Sequence, residues 1–248
     1  LSRLHSNTGT DDFEGAAWFL PQPLPTGGTG FQDLFHYYDS VPLDTCQNVA
    51  PDNTGTDFAG RDAGESIVAT GPSGALSLPK IPFGSAIFYG GAGAASVFVP
   101  NADYVVSANG GPDIGAFTTT IGASGEITSM ISPDMWNPLP LVIDRSAPLP
   151  LEWTSVADGR DVFVWLTQEG QIQAPFMAAD KILVCRFADD GHAEIPMDWL
   201  AWFRESEPSA QDARLIVRKY KWWTFTAPGG GAVLATVDST WDAIAAFE

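Results

Sequence analysis

The sequence predicts an all-β protein, and three observations carry that expectation. From about Ser66 onward, short apolar runs alternate with Gly, Pro, Asn and Asp at the spacing of sandwich strands. Outside Pro196–Arg204, no window sustains a 3.6-residue apolar period together with capping residues. The 248 residues include 9 Trp, 15 Phe and 5 Tyr, enough aromatic surface for a sizeable core. The expected architecture is an immunoglobulin-like or fibronectin-like β-sandwich, as one body or two sandwich units, with one short helix near 196–204.

Residues 1–65 read as a turn-rich N-terminal arm packed on the body, because Pro21–Gly30 is a run of breakers that no helix or central strand accommodates. Within it, Asn7–Phe13 is echoed by Asn53–Phe58, which reads as two similar turns. A first β region spans 66–108, with strands expected at Ser66–Thr70, Ala75–Leu78, Ala86–Tyr89, Ser96–Val99 and Tyr104–Ser107. Asn109-Gly110-Gly111-Pro112 then breaks the pattern, and 109–248 reads as a β-sandwich unit. Its expected strands are Ala116–Ile121, Ile127–Ile131, Leu139–Ile143, Leu149–Trp153, Val162–Thr167, Ile182–Phe187, Leu215–Tyr220, Trp222–Thr226 and Ala232–Val237. Both alternating faces of Val162–Thr167 are apolar, as in a central strand covered on each side. Ile182–Phe187 places Leu183, Cys185 and Phe187 on one face, directing Cys185 inward. Pro196 stands at a favourable first position for the single helical turn.

With 12 Lys+Arg against 30 Asp+Glu, the net charge is −18. Such a surface repels phosphate backbones, so nucleic acid is not an expected partner. No apolar run approaches the roughly 18 residues that span a bilayer. The first 25 residues lack the pattern of a secretory leader. Few Lys, 25 Gly, 19 Pro and Ser/Thr-rich loops nevertheless suit the mature form of an exported chain, placed extracellularly or at a cell surface.

Cys46 and Cys185 are the only cysteines. They read as a disulfide tying the N-terminal part to the β-rich C-terminal part, or else as two buried free thiols. Asp52, Asn53, Asp57 and Asp62 cluster hard oxygen ligands on a Gly-bearing loop, the kind Ca²⁺ prefers, although a solvated acidic loop has the same composition. Catalytic signatures are absent: no Gly-x-Ser-x-Gly elbow and no His-Glu-x-x-His occur. His192 beside Asp189 and Asp190 reads as a surface turn, and Arg145 as a structural ion pair with Asp144 or Glu152.

Arg214, Arg218, Lys219 and Lys221 concentrate positive charge near the end of an acidic chain, interleaved with Tyr220, Trp222 and Trp223. Leu215 and Val217 share a strand face with Lys219, a slip of the apolar pattern that reads as a bulge or a charged edge strand. The stripe is the candidate contact for an acidic neighbouring copy, or an aromatic platform for sugars.

Tyr104–Ser107 running into Gly110–Phe117, Ile143–Ser146 leading to Leu151–Trp153, and Cys185–Phe187 followed by Asp189–Pro196 resemble a β-sandwich unit of predicted secreted proteins and lipoproteins of myxobacterial and related soil bacteria. The resemblance covers about residues 100–204. It implies export to an oxidising setting and an immunoglobulin-like or fibronectin-like packing, and it brings no activity with it. The functional expectation is a secreted bacterial cell-surface structural or adhesive protein whose partner is a copy of itself or another surface component. The alternatives are a carbohydrate-binding module that holds polysaccharide and a hydrolase without a recognisable motif.

Overall fold

A computed structural model describes residues 1–6, 11–17, 19, 41–49, 61–83, 86–135, 140–169, 179–207, 210–229 and 231–248. The fold is almost entirely β, with two sheets packed face to face around the larger core. The strands are β1 (Ser2–Ser6), β2 (Asp11–Ala17), β3 (Thr45–Val49), β4 (Ser66–Gly71), β5 (Gly74–Phe83), β6 (Ala86–Ala94), β7 (Asp103–Ala108), β8 (Phe117–Gly122) and β9 (Ile127–Ser132). They continue as β10 (Leu141–Ile143), β11 (Leu149–Ser155), β12 (Val162–Glu169), β13 (Ala179–Phe187) and β14 (His192–Ile195). After helix α1 (Met197–Leu200) follow β15 (Ala213–Lys219), β16 (Trp222–Ala227), β17 (Gly231–Thr236) and β18 (Asp238–Phe247).

The main sheet has the order β3-β13-β12-β15-β18-β1-β2-β6-β5-β4-β7-β8, with β10 paired beside β1 on β18. A second sheet, β14-β11-β9, lies over its C-terminal half, and β16 and β17 form a separate hairpin. Three strands therefore come from the stretch expected to be a turn-rich arm. The breaker run Pro21–Gly30 itself lies outside the described residues.

β1 is the seam between the halves, parallel to β18 and antiparallel to β2. Its His5 stacks on Trp241 of β18 at 4.5 Å between ring centroids. The indole N–H of Trp241 donates in turn to the Ile127 carbonyl at 2.7 Å. On the C-terminal side, Val164, Leu166, Leu183, Cys185, Leu215 and Val217 face Ile127, Leu151, Trp153 and Ile195 of the second sheet. The opposite face of the same strands buries Phe163, Trp165, Ile182, Val184 and Ile216, so β12 is covered on both sides as its two apolar faces require. On the N-terminal side, Phe13, Ile67, Leu76, Leu78, Tyr89, Tyr104 and Ile121 form a second core. Trp223 and Phe225 of the β16–β17 hairpin pack against it.

Three local expectations are corrected. Ser96–Val99 is not a strand: residues Ala95–Val97 make a 3-10 turn. There the Tyr104 hydroxyl donates to the Val97 carbonyl and accepts the Val99 N–H, so those backbone groups need no neighbouring strand. β15 is not an edge strand but lies between β12 and β18. Arg145 meets neither Asp144 nor Glu152; it donates to the Phe203 carbonyl at 3.0 Å and lies 3.7 Å from Glu205.

Candidate functional site

β3 and β13 run antiparallel with Cys46 directly opposite Cys185, and the two are joined by a disulfide. The bond closes a sequence separation of 139 residues between the N-terminal segment and the core strands. A shallow depression beside it is lined by Asp44, Thr45, Phe187, Glu194, Pro196 and Trp199.

The basic stripe is taken up inside the molecule. Arg214 pairs with Asp242 and Arg218 with Asp238, both across the β15–β18 ladder. Arg218 also lies over the Trp165 ring at 5.5 Å, and Tyr220 is buried against Phe163 with ring centroids 4.6 Å apart. Lys221 sits 4.6 Å from the centroid of the Trp223 ring, whose indole N–H donates to the Gly122 carbonyl at 2.8 Å. The side chain of Trp222 lies outside the described residues. Arg214, Arg218, Lys219 and Tyr220 therefore present no continuous surface stripe, because the acidic residues that an outside copy would have supplied come from this chain.

Lys219 lies deepest. β15 alternates in register with the core, so the face that carries Leu215 and Val217 carries Lys219 inward as well, fully buried. Its ammonium donates to Asp189 Oδ2 at 2.6 Å and to the Val156 carbonyl at 3.2 Å, and lies 3.0 Å from Asp158 Oδ1. The side chains of Asp158 and Asp189 are 8% and 6% exposed. Asp189 Oδ1 accepts the Trp153 indole N–H at 2.9 Å and the Ser155 hydroxyl at 2.7 Å. Asp158 accepts the Gly125 N–H at 2.8 Å and the Arg160 N–H at 3.0 Å. Burial pushes the Asp189 carboxyl up, but hydrogen bonds from Lys219, Trp153 and Ser155 with the Lys219 charge outweigh it and hold the carboxyl below its usual range. Gly125 is required by close approach: a Cβ there would stand 1.9 Å from the Val156 carbonyl oxygen and 2.9 Å from Lys219 Nζ. The cluster escaped the sequence reading, although the slip of Lys219 onto an apolar strand face was its signal.

Of the acidic loop residues, Asp52, Asn53 and Asp57 lie outside the described residues. Asp62 acts as a structural acceptor, taking the Gly64 N–H at 2.8 Å and Lys80 at 3.3 Å, and it shares the single Tyr89 hydroxyl proton, 3.3 Å away, with the Gly64 carbonyl. Among the described residues no group of three His, Cys, Asp or Glu is arranged to hold a metal ion. No helix among them is long and apolar enough to cross a membrane. His192 is exposed and lies 3.4 Å from Asp190, at the start of β14.

The outer face of β8-β7-β4-β5 differs from the rest of the surface. The registers align Thr120, Val105, Thr70 and Ala75 in one row, and Thr118, Ser107, Val68 and Ser77 in the next. None of the eight is charged, and Val105 is 43% exposed. Among the described residues β8 terminates the strand order, and it holds neither a charged residue nor a proline.

No protein-family model matches the chain, and no curated protein matches it. Among solved structures, it is similar at 14% identity to a chain from a study of host cell surface retention of a 1.5-MDa bacterial ice-binding adhesin. The match covers 82% of this chain and 64% of that chain, with a TM-score of 0.21, a likeness too slight to carry an argument.

Proposed function

We propose that the protein is an exported structural or adhesive component of a bacterial cell exterior, and that copies associate through β8 and the uncharged face beside it. The observation that carries this reading is β8, the terminal strand among the described residues, which bears no charge or proline of its own and whose Gly122 end alone is capped, by the Trp223 indole. Natural sheets guard their edges with charge, proline or bulges. β8 reads Phe117-Thr118-Thr119-Thr120-Ile121-Gly122, with none of these, in a chain of net charge −18. Copies that repel one another over most of their surface can approach where charge is missing, and a strand edge supplies backbone donors and acceptors for a symmetric contact. The disulfide supports an oxidising location, since such bonds persist outside the cytosol. The immunoglobulin-like or fibronectin-like packing remains part of this reading for the C-terminal half, where the two sheets face each other.

The choice of surface sets the sign of the salt effect. A basic stripe meeting an acidic neighbour is weakened by salt, whereas an uncharged contact between acidic bodies is strengthened as repulsion is screened. Sedimentation over a range of protein and salt concentrations tests this. The expected result is association that grows with both and is lost in Thr120→Lys. A chain that stays monomeric throughout, or whose association weakens with salt and ignores Thr120→Lys, overturns the reading.

A further inference from the structure

We propose that Lys219 and Asp189 condense into an intramolecular amide cross-link, with Asp158 carrying the proton between them. The inference is independent of the adhesive reading and rests on the buried cluster alone.

As ions, the three side chains are one cation and two anions packed together in a largely buried site, where each charge is costly to desolvate. Condensation removes one buried charge of each sign and so lowers the number of desolvated ions without changing the net charge. The carboxylate that remains, Asp158, already accepts the Gly125 and Arg160 backbone N–H groups, so it stays hydrogen-bonded once the ammonium is gone. The two groups are held together before any reaction, with Lys219 Nζ 2.6 Å from Oδ2 of the carboxyl whose Cγ it attacks. The other oxygen of that carboxyl faces the Trp153 indole N–H, with Ser155 Oγ 2.7 Å from it and 2.9 Å from Oδ2, so that donors stand where negative charge gathers in a tetrahedral intermediate.

The step balances within the chain. The Lys219 ammonium passes one proton along its hydrogen bond to Asp189 Oδ2, and the freed amine attacks Cγ of the resulting neutral acid, forming the N–C bond. Charge collects on Oδ1, against Trp153 and Ser155. Asp158 takes the second proton from nitrogen and delivers it to the Oδ2 hydroxyl, the Cγ–Oδ2 bond breaks and water leaves. Ammonium and carboxylate become one amide and one water, with no oxidant or added reactant.

Intact mass spectrometry of the native chain after reduction of its disulfide tests the proposal directly. The expected mass is lower than that of the sequence by one water, and digestion gives the Lys219 peptide joined to the Asp189 peptide. Lys219→Arg keeps the positive charge without the reactive amine and restores the full mass. Asp158→Ala retains both reacting residues and is expected to leave them unjoined; cross-linking in that variant would remove Asp158 from its role. A native chain of full mass overturns the proposal even if both variants fail to fold. So does a water lost elsewhere, such as by ring closure at Asp190-Gly191, which leaves the two peptides separate.

Discussion

The halves on either side of β1 solve the problem of polar groups in a β core differently. In the C-terminal half, groups that carry charge enter the interior and meet partners there: Lys219 with Asp158 and Asp189, Arg214 with Asp242, Arg218 with Asp238, in a sheet whose β3 and β13 the Cys46–Cys185 bond ties together. In the N-terminal half, neutral hydroxyls do this work. Tyr89 accepts the Ala63 N–H at 2.7 Å and donates to the Gly64 carbonyl at 3.0 Å, and Tyr104 bridges Val97 and Val99. The first arrangement makes a braced frame. The second leaves two uncharged rows on the outer face of β8-β7-β4-β5, bordered by Asp103, which is the face offered to a partner.

The contrast sets an order of sensitivities. The largest effect is expected from Lys219→Ala, which removes the partner of two buried carboxylates, whether Lys219 holds them as an ammonium or is joined to Asp189, and costs at least about 3–5 kcal/mol in denaturant unfolding. Joint replacement of Cys46 and Cys185 by Ala follows, at about 2–5 kcal/mol, because the bond closes a long loop. Tyr89→Phe strands the Ala63 and Gly64 backbone groups and costs about 1–3 kcal/mol. If Tyr89→Phe proves as damaging as Lys219→Ala, the halves are not braced differently.

A smaller effect depends on pH. The Gly64 N–H, followed by hydrogen bonds from Lys80 and Tyr89, holds the Asp62 carboxyl below its usual range. A depressed carboxyl stabilises the fold above its unfolded value near ~4 and loses that contribution as pH falls through the folded value. Asp62→Asn is therefore expected to be less stable than the native chain at neutral pH and to converge with it in acid. Unfolding curves that keep a constant gap down to low pH would contradict this. The smallest change in stability, within about 0.5 kcal/mol, is expected for the surface substitution Thr118→Lys. It sharpens the comparison by reducing association of copies while leaving unfolding almost untouched.

Period-2 alternation made β4, β7, β8, β9, β11, β12, β13 and β15 legible, since each buries one face or both. β18 was not legible: it opens with Asp238 and Asp242 and continues through Ala243, Ala245 and Ala246, residues of low strand propensity. As a central strand it places those carboxylates diagonally from Arg214 and Arg218, and the pairing depends on a register that one strand alone does not reveal. β1, β2 and β3 were hidden for a related reason, as each is completed by a partner far along the chain. The basic stripe was visible as charge, but its counter-ions were dispersed over Asp158, Asp189, Asp238 and Asp242, so a local count made it look unpaired. The uncharged face was invisible because it is assembled from alternate residues of four strands.

The most direct test of how copies meet is hydrogen exchange of backbone amides at low and high protein concentration. The account predicts that protection rises with concentration in Phe117–Gly122 and in the outward rows of β7 and β4, while β12, β13 and β15 are already protected and do not change. Protection gained around Arg214–Trp223 instead, or no change with concentration anywhere, would contradict it.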